Sequence, residues 1–302
     1  MWEESFYQLA TAAARQQGMI TAAQAARLGV DGAALTGLSQ ARLIMQLDWG
    51  VYELAGASLG PMYGYPYAAW LALSPELFRW ERPERPERDA VLSHESACRL
   101  HGLGSVPAPL MVFTAPDELR SPRAVKVHVA SLAAGEIEVV KGTPVTTPHR
   151  TILDLVRDWT NPNDVRSAVT EAVRGDLVDL RALHADLAPL ADRHEFPADG
   201  LGFVRYFLPD LPPGHLSTRN LRALADLVSG DTVAEARRLL EPVVAAMRAA
   251  IPTTNGGGDG EDELARDLAE ELVARIELTG RRPRTTTTGQ SPRPGSDRPG
   301  GG

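Results

Sequence analysis

The first 58 residues contain three short apolar patterns at helical spacing, followed by two runs that alternate as strands do. Thr21 and Gln24 have the spacing of a capping box, in which two side chains satisfy free backbone groups at a helix start. The alternating runs flank Asp48-Trp49-Gly50, which predicts a strand, a tight turn and a second strand. The predicted helices cover Glu4–Gln17, Ala22–Leu28 and Asp31–Arg42.

The next segment is rich in aromatic side chains and predicts a loop followed by a helix over Tyr67–Leu73. Aromatic clusters can stack nucleic-acid bases, but this one has no Lys or Arg between Tyr63 and Phe78, which favours a core or interface role. A second short helix is predicted from Ser93, as its N-cap, to Gly102, with Cys98 turned inward.

Three β-branched runs then predict strands. They occupy residues 109–116, 123–131 and 136–146. In the second run, valines alternate with Lys126 and His128, so the valine face is predicted to be buried. Its valines are Val125, Val127 and Val129.

Thr143–Leu155 marks the change from strands to helices and predicts a strand end feeding a helix. Thr147 is a good N-cap, and Pro148 follows at the first helical position, where its missing N–H costs nothing. Arg150 and Asp154 lie four residues apart on one helix face, where their side chains can pair. We expect this pair to fix the junction structurally.

Helical patterns continue to Pro252. Two predicted helices, the first capped by Asn161, are separated near Gly175-Asp176; the later ones cover Leu201–Phe207, Thr218–Val228 and Thr232–Ala250. Residues 261–279 are amphipathic, with an apolar side chain at every fourth position. Such a helix cannot bury its stripe alone, so it either docks or forms marginally. The stripe consists of Leu264, Leu268, Leu272 and Ile276.

These patterns predict an α+β chain with four parts. They are a helix-turn-helix with a hairpin at 1–58, a small mixed α/β domain at 59–158, a helical extension packed on it at 159–251, and a flexible linker, amphipathic helix and disordered tail at 252–302.

Composition narrows the class of protein. The net charge of −8 argues against a chain-wide nucleic-acid coat, although a local basic face stays compatible with it. The single cysteine excludes an intramolecular disulfide and a thiolate-rich metal site, and fits a reducing cytosol. The N-terminus lacks the pattern of a signal peptide, and no apolar run is long enough to span a membrane. We therefore expect a cytoplasmic protein without membrane contact.

Candidate catalytic and metal-binding patterns are weak. His94 and His101 lie seven residues apart on one predicted helix face, but no third ligand is evident, and structural roles are favoured. Cys98 has no nearby base. Metal-capable side chains between His184 and Glu195 fall across a predicted loop without motif spacing. We expect no catalytic residue, no metal site and no cofactor.

One pattern resembles that of a nuclease, but its spacing does not fit the chemistry. Pro116-Asp117, Glu136, Glu138 and Lys141 resemble the PD…ExK arrangement of metal-dependent nucleases. That chemistry needs the Glu and Lys two residues apart, on one face of a strand. Glu138 and Lys141 are three apart and point to opposite faces. The spacing disfavours a nuclease.

Three stretches resemble the AbiEi-type antitoxins of type IV toxin–antitoxin (abortive infection) systems, especially actinobacterial ones. The N-terminal order, ending in Gly50-Val51-Tyr52, is similar to the family's winged helix-turn-helix domain. SHESACRLHGL and GTPVTTPHRTILDL are similar to its central signature, and the resemblance covers roughly residues 4–190. The signature positions, expected to be structural, are Ser93, His94, His101, Thr147, Arg150, Thr151 and Asp154.

The resemblance implies a non-enzymatic antitoxin that binds its own operator DNA and neutralises a cognate nucleotidyltransferase-like AbiEii toxin, with or without a stable complex. In a winged helix, the third helix enters the major groove. The DNA contacts would fall to Thr36, Ser39, Gln40 and Arg42.

The N-terminal part departs from the family in its charge. Residues 1–58 hold three arginines and five acids, a net charge of −2, whereas DNA affinity comes mainly from Lys and Arg meeting phosphates. A second interpretation therefore stays open: a protein-interaction module whose winged helix no longer binds DNA.

Overall fold

The computed structural model is mixed α/β and contains two small sheets. It describes residues 2–57, 59–158, 161–249 and 259–279. Most of the predicted linker at 252–260 and the low-complexity tail beyond 280 lie outside these ranges, whereas Asp259 and Gly260 already belong to the helix that follows. None of the helices within them combines the length and apolar character needed to cross a bilayer.

The N-terminal unit contains the predicted helices and hairpin, plus one strand that the sequence pattern did not indicate. Thr21 and Gln24 form the predicted capping box, and the Asp31 side chain caps the third helix. The three strands form one antiparallel sheet in the order β1-β3-β2. The elements are α1 (Trp2–Ala14), β1 (Met19–Thr21), α2 (Ala22–Arg27), α3 (Gly32–Gln40), β2 (Ile44–Gln46) and β3 (Val51–Leu54).

The middle part contains a five-stranded mixed sheet in the order β6-β5-β4-β8-β7. The pairs β5–β6 and β4–β8 are parallel, whereas β4–β5 and β7–β8 are antiparallel. The elements are α4 (Pro61–Leu73), β4 (Val91–Leu92), α5 (His94–His101), β5 (Met111–Ala115), β6 (Val125–Val129), β7 (Ile137–Val140), β8 (Thr143–Thr146) and α6 (Pro148–Arg157).

Helix α4 begins at Pro61, six residues before the predicted start, because proline is well tolerated in the first helical turn. Every residue from Tyr67 to Leu73 is buried, and a helix that is apolar all round belongs inside a core. Its core also includes Met19 and Val51 of the N-terminal sheet. In return, Phe78 packs into the core of the N-terminal unit. The predicted boundary at residue 58 therefore lies between two parts that share cores.

The helical part packs on α5 and α6 through one large core that includes Cys98, Ile152, Leu155 and Phe203. The predicted helices over 218–228 and 232–250 form one element, interrupted by non-helical backbone at Ser229. The predicted loop at 191–200 contains a one-turn helix. The elements are α7 (Pro162–Arg174), α8 (Leu180–Leu187), α9 (Ala191–His194), α10 (Gly200–Phe207) and α11 (Thr218–Ala249).

Helix α12 (Asp259–Val273), continued by a π-helical turn over Ala274–Thr279, docks on α11 through a different face from the one predicted. All four residues of the predicted buried stripe are 40–65% exposed. Small side chains are buried instead, and they allow two helices to approach closely. Arg222 on α11 fixes the orientation through ion pairs to Asp267 and Glu271. The buried apolar residues are Ala265, Ala269, Val273 and Ala274.

Candidate functional site

The turn from β4 into α5 positions the first signature residues. Ser93 occupies the N-cap position, but its hydroxyl makes no capping hydrogen bond, in contrast to the prediction. Its oxygen instead lies 2.9 Å from Nδ1 of His94 and accepts a 2.9 Å hydrogen bond from the Thr114 hydroxyl on β5. Ser93 thus ties the start of the helix to the neighbouring strand.

His94 is the first residue of α5 and has a φ of 51°, in the left-handed region that non-glycine residues seldom occupy. This backbone conformation turns the imidazole inward, and the residue is 5% exposed. The ring stacks on His128 of β6, with centroids 4.2 Å apart and planes 13° apart. Local strain of this kind persists only where the surroundings hold it in place.

Asp158, the residue after α6, completes the group. Its Oδ2 lies 3.5 Å from Nε2 of His94 and 3.8 Å from Nε2 of His128. Burial, and then the neighbouring His128, lower the pKa of His94 to about 4. His94 is therefore neutral at pH 7. Among the described residues, these three are the only group of His, Cys, Asp or Glu side chains placed to share a metal ion.

The sequence paired His94 with His101, and the structure separates them. Nε2 of His101 lies 2.7 Å from the Thr146 carbonyl, and Nδ1 lies 3.4 Å from a Glu138 carboxylate oxygen. The structural role predicted for His101 fits these contacts. His128 was not predicted as a site residue; it was assigned to the polar face of its strand, yet it is half-buried against His94. Val129, assigned to the buried face, is 56% exposed at the edge of the sheet.

The start of α6 carries the second signature. Thr147 caps the helix by accepting from the Arg150 N–H at 3.3 Å, and Pro148 follows, as predicted. The hydroxyls of Thr146 and Thr151 lie 2.7 Å apart. Together with the His101 contact, these bonds join the end of β8 to both signature helices.

Arg150 and Asp154 form the predicted pair, with Nε of Arg150 2.7 Å from Oδ1 of Asp154. Nη1 of Arg150 also lies 2.8 Å from Glu136. Burial alone would raise the pKa of Glu136, but hydrogen bonds from the Ala133 N–H and from Arg150 outweigh burial and lower it. The side chains of Arg150 and Asp154 are only 11% and 4% exposed, so the pair is a buried feature of the junction.

The groups considered for catalysis are engaged elsewhere. Cys98 is fully buried, and burial raises the pKa of its thiol, so it is not a nucleophile at neutral pH. In the nuclease-like pattern, Glu136 is held by Arg150 and Glu138 lies beside His101. Between His184 and Glu195, the ring Nε2 of His184 lies 2.9 Å from the Ala198 carbonyl.

The four candidate DNA contacts on and after α3 differ in exposure. Gln40 and Arg42 are exposed. Thr36 is exposed, although its hydroxyl donates to the Gly32 carbonyl within the helix. The Ser39 oxygen is buried and makes no hydrogen bond to the described residues. The candidate DNA contacts with side chains at the surface are therefore Thr36, Gln40 and Arg42.

The other two arginines of the N-terminal unit make internal contacts. The Arg15 guanidinium lies 4.0 Å from the ring centroid of Trp80. Arg27 forms two hydrogen bonds to Glu81, at 2.6 and 2.8 Å. Arg42 has no ion pair within the described part of the chain, and it is the arginine best placed to meet a phosphate.

The fold brings arginines to the aromatic cluster, which has no Lys or Arg between Tyr63 and Phe78 in the sequence. A cavity of about 530 Å³ is lined by Trp70 and Trp80 together with Arg15, Arg79 and Arg82. Arg82 is buried, stacks 3.9 Å from the Trp70 ring centroid and pairs with Asp89 at 2.8 Å. Arg15 directly follows α1, whereas Arg79 and Arg82 lie in the segment after α4, so sequence spacing did not indicate that all three meet.

A scan against protein-family models gives no match for this chain, and a search of curated proteins gives none either. We therefore infer the function from the fold and the residues.

Proposed function

We propose that this chain is an AbiEi-type antitoxin that also regulates its own operon, acting in the cytoplasm without catalysing a reaction. The supporting observation is that the two signature segments meet in space. His101 from the first contacts Thr146 in the second, 45 residues later, and His94 lies beside Asp158 at the end of the second helix. Both signature segments therefore build one junction, which is what we expect if they belong to a single signature of one family.

We further propose that the N-terminal unit is a winged helix-turn-helix, with α3 as the recognition helix and β2–β3 as the wing. The order of elements and the antiparallel β1-β3-β2 sheet support this assignment. In such a module, the recognition helix reads base edges and the hairpin touches the backbone. Thr36, Gln40 and Arg42 would then face operator DNA.

The middle and helical parts would neutralise a nucleotidyltransferase-like toxin of the AbiEii class. Type IV neutralisation does not require a stable complex, so the proposal concerns the effect on the toxin's activity. The test is co-expression of the full chain with the toxin encoded beside it. Restored growth is expected, and failure of the full chain to restore growth would refute the antitoxin assignment.

Operator binding is tested separately, by measuring the affinity of the full chain for its upstream promoter as a function of salt. Because few cations face outward, the slope of log K against log salt should correspond to only about one to three phosphates, at roughly 0.9 per phosphate. Arg42→Ala should weaken binding and flatten this slope. Arg174→Ala is the matched control, since Arg174 is comparably accessible but pairs with Glu171 on α7.

The engaged arginines favour a second candidate: a protein-interaction module that does not bind DNA. Arg15 and Arg27 hold the N-terminal unit against the segment that contains Trp80 and Glu81, and so contribute little positive charge to an outer face. This candidate predicts growth rescue without any specific promoter shift, even at low salt. A shift abolished by Arg42→Ala would exclude it.

A further inference from the structure

We propose that His94, His128 and Asp158 bind a divalent transition-metal ion of the Zn²⁺ type. Two imidazole nitrogens and one carboxylate oxygen are ligands that such ions prefer, and three protein ligands leave a fourth position open. One ligand atom from each of the three residues can be chosen so that all lie within 4.8 Å of one another. The site goes beyond the proposed antitoxin function and does not depend on it.

Three separate elements build this group. His94 begins α5, His128 belongs to β6, and Asp158 follows α6, so the ligands converge only when the sheet and both signature helices are assembled. This convergence distinguishes the group from chance neighbours on one exposed helix. An ion bound there would cross-link the edge of the sheet to the ends of two helices.

The His94 side chain has the support expected of a metal ligand. Ligating histidines usually engage their second ring nitrogen with a neighbouring polar group, which fixes the ring and its tautomer. Nδ1 of His94 contacts the Ser93 hydroxyl, which is itself held by Thr114. With Nδ1 as the donor to Ser93, Nε2 presents its lone pair toward the carboxylate of Asp158.

His128 supplies an independent indication. Its Nε2 is buried and has no hydrogen-bond partner among the described residues. Buried polar atoms are nearly always paired, so an unpaired nitrogen aimed at a carboxylate 3.8 Å away suggests a missing cation. The Asp158 side chain is 41% exposed, which provides a route for the ion and for a water molecule at the open position.

The distances indicate how the group would respond to the ion. Ligand atoms about 2.0–2.1 Å from a tetrahedral zinc ion lie roughly 3.4 Å from one another. The two His–Asp distances, 3.5 and 3.8 Å, are already close to this value. The rings are nearly parallel, however, and an ion must lie in the plane of each ring that binds it. Binding should therefore tilt the two rings out of their stack.

The proposal is tested on the full chain after removal of metal with a chelator. Zn²⁺ and Co²⁺ are titrated separately, by calorimetry and by visible absorption of Co²⁺. One ion per chain is expected, together with the absorption of a low-symmetry Co²⁺ site. Mg²⁺ should not compete, because it prefers oxygen ligands. In NMR spectra that report histidine ring nitrogens, the Nε2 signals of both His94 and His128 should shift.

His128→Ala and Asp158→Asn should each weaken Zn²⁺ binding more than about 100-fold, beyond the roughly 10–100-fold loss caused by changing a residue that only supports a ligand. His215→Ala, at an exposed histidine outside the group, is the control and should leave binding unchanged. Circular dichroism and urea unfolding establish that the variants are folded. The proposal is overturned if the folded wild-type chain binds no Zn²⁺, or if its Zn²⁺ affinity survives both site variants.

Discussion

Asp154→Ala should destabilise the chain far more than the loss of an ordinary helix-surface pair. The change removes the carboxylate that accepts from Nε of Arg150 at 2.7 Å. The Arg150 side chain is 11% exposed and would keep only Glu136, at 2.8 Å. Removing one partner of a buried pair typically costs about 3–5 kcal/mol, because the other charge stays buried without compensation.

The remaining contact with Glu136 offsets part of this cost, so we expect a loss of about 2–3 kcal/mol in the free energy of unfolding. That loss lowers the folding equilibrium constant by a factor of roughly 30 to 150. Urea unfolding followed by circular dichroism measures it, provided that the slope with denaturant is unchanged. A changed slope would signal a different unfolding mechanism or a different denatured state.

Glu171→Ala is the matched control. Glu171 and Arg174 also form an ion pair within one helix at 2.7 Å, but their side chains are 39% and 44% exposed. Exposed pairs contribute about 0–1 kcal/mol, so this variant should lose little. The double replacement Arg150→Met with Asp154→Leu should recover much of the stability lost in Asp154→Ala, since apolar substitutes for a buried pair are often neutral.

Two results would refute the reasoning. If Asp154→Ala costs no more than Glu171→Ala, the buried pair does not fix the junction. If Asp154→Ala keeps full stability but no longer neutralises the toxin, this part of α6 is a contact surface and the structural interpretation is wrong.

Two further predictions concern α12 and the contact between the first two parts of the chain. Leu268→Gln should change the free energy of unfolding in urea by less than about 0.5 kcal/mol, because Leu268 is exposed. Ala269→Leu should lower it by about 1–3 kcal/mol, because the larger side chain overpacks the face against α11. The opposite ranking would show that the leucine stripe is the buried one. The Glu81 carboxyl should titrate at about 2 by NMR, because the hydrogen bond from Arg27 lowers its pKa from 4.5. Because the pKa of Glu81 is lowered, the contact stabilises the fold fully above about pH 4.5 and loses this effect as the pH falls through 2. The assignment would be contradicted if Glu81 titrates near 4.5 in the native chain, or if Arg27→Ala does not raise the pKa of Glu81.

Four helix caps were predictable from the sequence because capping is local, whereas the Ser93 hydroxyl, also predicted to cap, contacts His94 and Thr114 instead. Thr21, Asp31, Thr147 and Asn161 all accept from backbone N–H groups at the positions their spacing indicated. Each cap involves residues within three positions of one another, so tertiary structure has little opportunity to overrule it. The Arg150–Asp154 pair was predictable for the same reason.

The buried face of α12 was not predictable, because two apolar stripes compete along that helix. Leucine burial would gain more from the hydrophobic effect, which is why the leucine stripe was the natural choice. The partner surface decided otherwise: close approach to α11 favours Ala265 and Ala269, and the ion pairs to Asp267 and Glu271 fix the rotation of the helix. Both influences depend on α11, whose position cannot be read from the sequence of α12.

The group of His94, His128 and Asp158 depends on strand register, which no local pattern specified. His128 lies opposite Thr114 in the parallel β5–β6 pair, and Thr114 lies opposite Val91 in the antiparallel β4–β5 pair. These pairings place His128 across β5 from Val91, the first residue of β4, and its imidazole stacks on His94, which follows that strand along the chain. A shift of β6 by one residue would place Val127 or Val129 there and turn the imidazole to the other face of the sheet. His128 is a regular polar position in the valine alternation of β6, and it becomes a site residue only through the pairing with two neighbouring strands. The same pairing that buries Phe113 in the core also brings His128 to His94.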